Sequence, residues 1–96
     1  MKEIMSETVS KTIKIINKLG LHARASAKFI NVANRFNCEI EVSRGNKHVN
    51  GKSIMGIMML AASQGTELQV TASGEHAEAA LEAIQALVNE RFGELE

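Results

Sequence analysis

The sequence has very few aromatic side chains and no excess of either charge. Its 96 residues include three Phe, no Tyr and no Trp, and its 11 basic residues are balanced by 11 acidic ones. Proteins that stack nucleic-acid bases use several aromatic side chains, and proteins that bind phosphate backbones rely on an excess of basic residues. The composition therefore argues against a nucleic-acid-binding function.

Cysteine and long apolar runs are also scarce. Cys38 is the single cysteine, which excludes an internal disulfide and is typical of a reducing compartment. It lies in a strand-like run, where we expect a buried thiol rather than a reactive one. No stretch approaches the ~20 apolar residues of a membrane span, and residues 1–7 are too polar for a signal peptide. The sequence predicts a soluble cytoplasmic protein with no membrane association.

Length and composition indicate one folded domain. Hydrophobic residues make up 45% of the chain and charged residues 23%, a balance that is typical of globular proteins and argues against disorder. A chain of this length can form a single core. We therefore expect one domain over residues 1–96, with residues 1–7 as a loose N-terminal extension because they are polar.

Hydrophobic periodicity predicts four strands and three helices. Strands are predicted where apolar and polar residues alternate, and helices where apolar residues recur at three- and four-residue spacings. The predicted strands span residues 9–16, 38–43, 47–49 and 67–73, and the predicted helices span residues 23–35, 54–62 and 77–92. Asn37 and Gly65 are expected to end the first two helices. This order predicts an α+β fold, an antiparallel sheet covered on one face by helices.

One stretch, residues 17–24 (Asn-Lys-Leu-Gly-Leu-His-Ala-Arg), joins the first strand to the first helix. Gly20 permits a tight turn, and His22 falls at or just ahead of the helix start. The positive end of a helix favours a neutral, nucleophilic imidazole, and free helix N–H groups together with Arg24 can hold an anion. The stretch predicts a site where His22 takes up a phosphate or another anionic group. The alternative is that His22 only caps the helix and Arg24 is an ordinary exposed cation.

The other histidines give no such signal. We expect His48 to be exposed on a strand and His76 to face solvent in the first turn of the last helix. The three histidines and one cysteine show no metal-ligand spacing, so no metal or other cofactor is predicted. A second acid–base group and a nucleotide loop are also missing from the pattern, which argues against a self-contained enzyme.

The predicted second helix is apolar nearly all round. Ser53 is expected to be its N-cap. A helix on a sheet needs only one apolar stripe, so some of its large side chains should be exposed as an adaptable contact surface. These side chains are Ile54, Met55, Met58 and Met59. The alternative is that the helix is buried on two sides. Gly56 inside the helix indicates close approach by another element or by a partner.

Residues 17–24 and residues 51–58 (Gly-Lys-Ser-Ile-Met-Gly-Ile-Met) together resemble the HPr family, the histidine-containing phosphocarriers of the phosphoenolpyruvate-dependent phosphotransferase system. The resemblance extends over roughly residues 8–92. It implies an open-faced β-sandwich of four antiparallel strands with three helices on one side, and a carrier rather than an enzyme. It further implies that His22 accepts a phosphoryl group on Nδ1 from Enzyme I and passes it to an Enzyme IIA during sugar uptake, with Arg24 as a phosphate partner.

The resemblance also implies a regulatory site and a docking surface. Ser53 matches a serine that a dedicated HPr kinase/phosphorylase phosphorylates in some bacteria. A phosphate there would be favoured by the helix end while it spoils the adjacent apolar surface. We expect a monomer whose partner-docking residues are Ala23, Ala27, Ile54, Met55 and Met58.

One position departs from the family pattern. A proline usually follows the arginine directly, and this chain has Ala25 instead. Proline would preset φ for the first helical turn, so its absence is expected to loosen the His22 loop modestly.

Two alternatives remain open. The chain could serve a nitrogen-related regulatory branch, in which the chemistry at His22 would be the same. It could also be a non-catalytic interaction domain, in which the apolar helix binds a partner and His22 only caps a helix.

Overall fold

The computed structural model describes residues 7–96. The predicted loose extension at residues 1–7 lies outside the described residues apart from Glu7, which begins the first strand. The described chain runs through β1 (Glu7–Lys14), α1 (Ala23–Ala33), β2 (Glu39–Arg44), β3 (Lys47–Asn50), α2 (Ile54–Met59), β4 (Glu67–Gly74) and α3 (Ala77–Asn89), and ends with a 3₁₀ turn at Arg91–Gly93.

The four strands form one antiparallel sheet in the order β1-β4-β2-β3. The first pair places Glu7 opposite Gly74 and Lys14 opposite Glu67. Side chains alternate between the two faces of each strand, so one face buries aliphatic side chains against the helices. The buried members are Ile13, Ile40, Val42, Leu68, Val70 and Ala72. The predicted open-faced sandwich is confirmed.

The other sheet face is polar. Ser10 and Thr71 hydroxyl oxygens lie 2.7 Å apart across β1 and β4, and Thr12 Oγ1 donates to Gln69 Oε1 at 2.9 Å. Such cross-strand pairs satisfy polar groups on a face that needs no cover. No helix within residues 7–96 is long and apolar enough to cross a bilayer.

Two helices end earlier than the sequence predicted. α1 ends at Ala33, and Asn34 rather than Asn37 is its C-cap, donating its N–H to Ile30 O at 2.8 Å. α2 ends at Met59, and the first residue after it with a positive φ is Ala61 (φ 50°), four residues before Gly65 (φ 91°). The early end of α2 has a tertiary cause, since Arg44 Nη1 donates to the carbonyl oxygens of residues 60 and 61, both at 2.9 Å.

The last helix is also shorter than predicted. α3 ends at Asn89, and Phe92, which the periodicity placed on the helix, has a left-handed backbone (φ 55°) and lies in the following turn. Its ring is buried. Lys28 Nζ on α1 donates to Phe92 O at 2.7 Å, so the turn is fixed to α1 as well as to the core.

Candidate functional site

His22 is the N-cap residue of α1. Its backbone is extended (φ −74°, ψ −178°), and its carbonyl accepts the first helical hydrogen bond from Ser26 N at 2.8 Å. Its side chain makes no capping hydrogen bond, and the first turn contains no acidic residue. The N–H groups of the first turn have no partner within the helix and point out of its end. His22 thus lies at the predicted place, beside free N–H donors that its ring does not use.

Gly20 holds the loop before His22 against the end of α2. It has φ 72°, and a Cβ on it would lie 2.5 Å from Ala62 O. The next residue, Leu21, donates its N–H to that same carbonyl at 2.8 Å. Only glycine permits both the left-handed backbone and the close approach. The loop that carries His22 is therefore in direct contact with the chain just after α2.

A carboxylate that the sequence did not predict lies against the imidazole. Glu94, in the chain after the 3₁₀ turn, hydrogen bonds through Oε2 to His22 Nε2, across 72 residues of sequence. Its other oxygen accepts from Asn17 Nδ2 at 2.9 Å. Asn17 is fully buried and also donates to Gly20 O at 2.9 Å. No local pattern identifies Glu94, because its role depends on where the fold places the end of the chain.

The surroundings of Glu94 favour its ionised form. Partial burial raises the pKa of this carboxyl group, but hydrogen bonds from Asn17 and His22, together with the positive charges of Lys28 and of a protonated His22 ring, lower it by more. The net effect is a pKa below the ordinary glutamate value, so the group is a carboxylate at neutral pH.

Arg24 lies on the first turn of α1, two residues after His22. Its side chain is exposed and makes no hydrogen bond or ion pair with the described residues. Its guanidinium is thus available to a ligand at the helix start. Lys28, one turn further along, is already engaged with the carbonyl of Phe92.

Ala25 does not disturb the start of the helix. It is fully buried, and α1 is regular from Ala23 onward. Alanine keeps a backbone N–H that proline would lack. The position therefore supplies one more donor at the helix start than the family pattern would.

The exposed surface of α2 agrees with the sequence prediction. Ser53 is the N-cap, and its Oγ accepts from Gly56 N at 3.1 Å. The exposed fractions are 41% for Ile54, 69% for Met55, 42% for Met58 and 61% for Met59. The alternative of burial on two sides is wrong. A Cβ on Gly56 would lie 3.0 Å from Val49 Cβ, so the close neighbour of this glycine is β3.

The other predicted docking residues lie on α1, which contacts α2. Ala23 is exposed and Ala27 half-buried. Leu19, in the loop before His22, is 68% exposed. A single apolar residue in a loop has no periodicity, so the sequence pattern did not predict this exposed side chain.

The remaining candidates lie away from these residues. His48 is exposed on β3, with Nδ1 3.5 Å from Glu41 Oε1. His76 is exposed but is the N-cap of α3 rather than a residue of its first turn. Cys38 is buried. Within residues 7–96 no group of three or more His, Cys, Asp or Glu side chains could hold a metal ion.

Comparisons with known proteins agree on one family. Residues 9–90 match the PTS-HPr family model, described as the PTS HPr component phosphorylation site. The phosphocarrier protein HPr of Pseudomonas aeruginosa is 54% identical over 83 residues, which cover 85% of this chain and 92% of the relative.

Solved structures give the same result. The crystal structure of HPr-C-His from Thermoanaerobacter tengcongensis is 45% identical and superposes with a TM-score of 0.88, covering 92% of this chain and 99% of that one. A structure of an HPr dimer from the same organism, also 45% identical, has a TM-score of 0.73 and covers 98% of this chain and 100% of that one.

Proposed function

The chain belongs to the HPr family and is a phosphocarrier of the phosphotransferase system rather than an enzyme, and from this premise we propose that His22 is the residue that carries the phosphoryl group. One observation supports this assignment above the others. The imidazole stands at the start of α1 beside first-turn N–H groups that its own side chain does not cap, and Arg24 on the same turn has no hydrogen-bond or ion-pair partner among the described residues. Backbone N–H groups at a helix start and a nearby guanidinium both bind phosphate groups, which supports a phosphoryl site here.

The proposed transfer needs little from the protein. Enzyme I presents a phosphohistidine, and the His22 ring attacks its phosphorus in line. The N–H groups of the first turn and the Arg24 guanidinium bind the charged oxygens as the group arrives. An Enzyme IIA then takes the phosphoryl group by the reverse geometry. Because the site is open to solvent on the side of Arg24, the phosphoryl group stays accessible to the second partner.

Docking is assigned to the apolar surface beside the site. This surface consists of Ala23 and Ala27 on α1 and Ile54, Met55 and Met58 on α2. Flexible methionine side chains adapt to partners of different shape, which suits a carrier that meets both a donor and an acceptor. Enzyme I and an Enzyme IIA would bind this surface in turn, with the protein acting as a monomer in the cytoplasm.

Regulation is assigned to Ser53 at the edge of the same surface. Phosphorylation by an HPr kinase/phosphorylase would add a charge of about −1.5 to −2 at the N-cap. The end of α2 tolerates such a charge, whereas an apolar partner surface does not.

We place the protein in sugar uptake. The identity of the Enzyme IIA that accepts the phosphoryl group distinguishes this role from one in the nitrogen-related branch.

The assignment of His22 predicts the outcome of two substitutions. His22→Ala should abolish phosphoryl uptake from Enzyme I and phosphoenolpyruvate, because neither His48 nor His76 lies at a helix start that has an arginine on its first turn. His48→Ala removes an exposed histidine on the far face of the sheet and should leave uptake unchanged. Intact mass spectrometry measures both. Normal labelling of His22→Ala would overturn the assignment, and a folded, unlabelled wild type would favour a pure binding module.

The docking surface predicts a separate effect on the encounter with Enzyme I. Met55→Asp places a charge on a side chain that is 69% exposed, so the domain should stay folded while transfer at low Enzyme I concentration slows by about tenfold. Ala79→Asp, an exposed alanine on α3, is the matched control and should have no effect. Equal rates for the two variants would contradict the docking assignment.

A further inference from the structure

The chain leaves α3 in a backbone conformation that few residues adopt. Arg91, Phe92 and Gly93 all have positive φ, at 56°, 55° and 80°. For the two non-glycine residues this conformation is unfavourable, and it persists only where neighbouring contacts hold it. The buried Phe92 ring and the hydrogen bond from Lys28 Nζ to its carbonyl supply those contacts. The strained turn reverses the chain and brings Glu94 to His22.

Both carboxylate oxygens of Glu94 are engaged there. One accepts from Asn17 Nδ2 and the other contacts His22 Nε2. The side chains of His22 and Glu94 are only 29% and 16% exposed, so water is largely excluded from their contact. Glu96, two residues further on, is different. It pairs with Lys18 Nζ at 3.3 Å, and its side chain is 72% exposed.

Asn17 fixes the carboxylate relative to the loop that carries His22. Its Nδ2 group donates to both Gly20 O and Glu94 Oε1, whereas its Oδ1, although buried, has no partner among the described residues. A buried polar atom without a hydrogen-bond partner lowers stability. The amide is nevertheless held with its donors toward the loop and Glu94. A buried oxygen without a partner is expected where an amide orients other groups rather than stabilising the fold.

We propose that Glu94 is a positioning residue that accepts the Nε2–H of His22 and thereby leaves the lone pair of Nδ1 free to receive the phosphoryl group. A neutral imidazole has one N–H, so a carboxylate at one nitrogen determines which nitrogen is the nucleophile. This inference rests on the proposed function, since it takes His22 as the phosphoryl acceptor.

In the proposed transfer step, one bond to phosphorus forms and one breaks. The Nδ1 lone pair of His22 forms a bond to phosphorus. The P–N bond of the donor phosphohistidine breaks, and its electron pair returns to the donor ring nitrogen. The Nε2 proton stays in place throughout. The His22 ring gains positive charge as the bond forms, and the Glu94 carboxylate faces that charge, as the aspartate of a catalytic triad faces its histidine.

Nitrogen-detected NMR of the histidine rings tests the tautomer without any phosphoryl donor. At a pH at which the imidazoles are neutral, wild-type His22 should be in the Nε2–H form. Glutamine at position 94 has one carbonyl oxygen, for which Asn17 and His22 compete, so Glu94→Gln should give a mixture of tautomers. Glu96→Gln removes an exposed carboxylate of the same segment and should leave the His22 signals unchanged. An Nδ1–H form in the wild type, or no change in Glu94→Gln, would overturn the proposal.

The rate of phosphoryl transfer from Enzyme I tests the role of Glu94 independently of the tautomer measurement. Glu94→Gln should accept phosphoryl groups from Enzyme I about tenfold more slowly, and Glu94→Asp should recover part of the rate. A purely structural role would instead lower thermal stability with the tautomer unchanged, which contradicts the proposal. A wild type that shows the Nε2–H tautomer but is never phosphorylated would contradict the carrier role and leave the positioning of His22 intact.

Discussion

At the scale of single residues, His22 and Arg24 differ in how many contacts their side chains make with the rest of the protein. The His22 ring is held by Glu94, whose other oxygen accepts from Asn17, whereas the Arg24 side chain makes no contact of this kind in the described part of the chain. A side chain without structural partners contributes little to stability. Any effect of changing Arg24 should therefore appear in phosphoryl transfer and not in folding.

This difference gives a prediction for Arg24. Arg24→Ala should slow phosphoryl uptake by about 10- to 100-fold, because a charged donor to the transferred oxygens is lost. Its unfolding free energy should stay within about 0.5 kcal/mol of the wild type. Single-turnover transfer from Enzyme I and thermal melts measure the two quantities. Arg35→Ala, an exposed arginine beyond the end of α1, is the control. Equal rates for the two variants would count against a role in phosphate binding.

The site residues also differ in how far the sequence could predict them. His22, Arg24 and Ser53 lie next to helix starts that glycine, serine and apolar periodicity mark locally, so their positions could be predicted. Glu94 could not, because its contact with Asn17 joins residues 77 apart in sequence. Neither a glutamate nor an asparagine indicates a catalytic or binding role by its residue type alone.

At the scale of elements, carbonyl groups just after α1 and α2 accept hydrogen bonds from side chains elsewhere in the chain. None of α1, α2 and α3 has a basic residue in its own last turn. Arg44 from β2 donates to the carbonyl oxygens after α2, and Lys52 Nζ donates to Phe36 O after α1 at 2.5 Å. A local C-cap satisfies only part of the carbonyl groups at a helix end, and side chains from elsewhere can satisfy others. The helix ends were therefore predicted incorrectly, although the existence and order of the elements were predicted correctly.

The N-cap of α2 gives a prediction at this scale. Ser53→Ala should lower the unfolding free energy by about 1 kcal/mol, because Gly56 N loses its acceptor. Ser53→Asp restores an acceptor and adds a negative charge that the helix end favours, so it should be as stable as the wild type. Transfer from Enzyme I should nevertheless be slower in Ser53→Asp. Chemical denaturation and transfer rates separate the two effects. A Ser53→Asp protein that is as unstable as Ser53→Ala would contradict the capping account.

At the scale of the whole molecule, the fold joins three distant segments at His22. The loop after β1 carries the histidine, the chain after α2 accepts the Leu21 N–H through Ala62 O, and the chain after α3 supplies Glu94. The final segment is held further by Lys18, whose N–H donates to Glu96 O at 2.8 Å. Hydrogen bonds of Glu94 should thus stabilise the fold as well as orient the imidazole.

Acid should weaken the hydrogen bonds of Glu94 with Asn17 and His22. The pKa of Glu94 is lowered in the folded protein, so its contribution to stability is complete above the unfolded glutamate value of about 4.3 and is lost as pH falls through the lower folded value. The wild type should exceed Glu94→Gln in unfolding free energy by about 1 kcal/mol near pH 7, and the difference should vanish in strong acid. Denaturation across this pH range measures it. A difference that grows as pH falls would contradict the assignment of an ionised, hydrogen-bonded Glu94.

The most direct measurement of the central claim is phosphorus and nitrogen NMR of the protein after reaction with Enzyme I and phosphoenolpyruvate. The account predicts one phosphohistidine, on His22, with phosphorus bonded to Nδ1 and a proton retained on Nε2. A phosphoryl group on any other residue would contradict it. So would the absence of a phosphohistidine in the folded protein under conditions in which the same Enzyme I phosphorylates a known HPr.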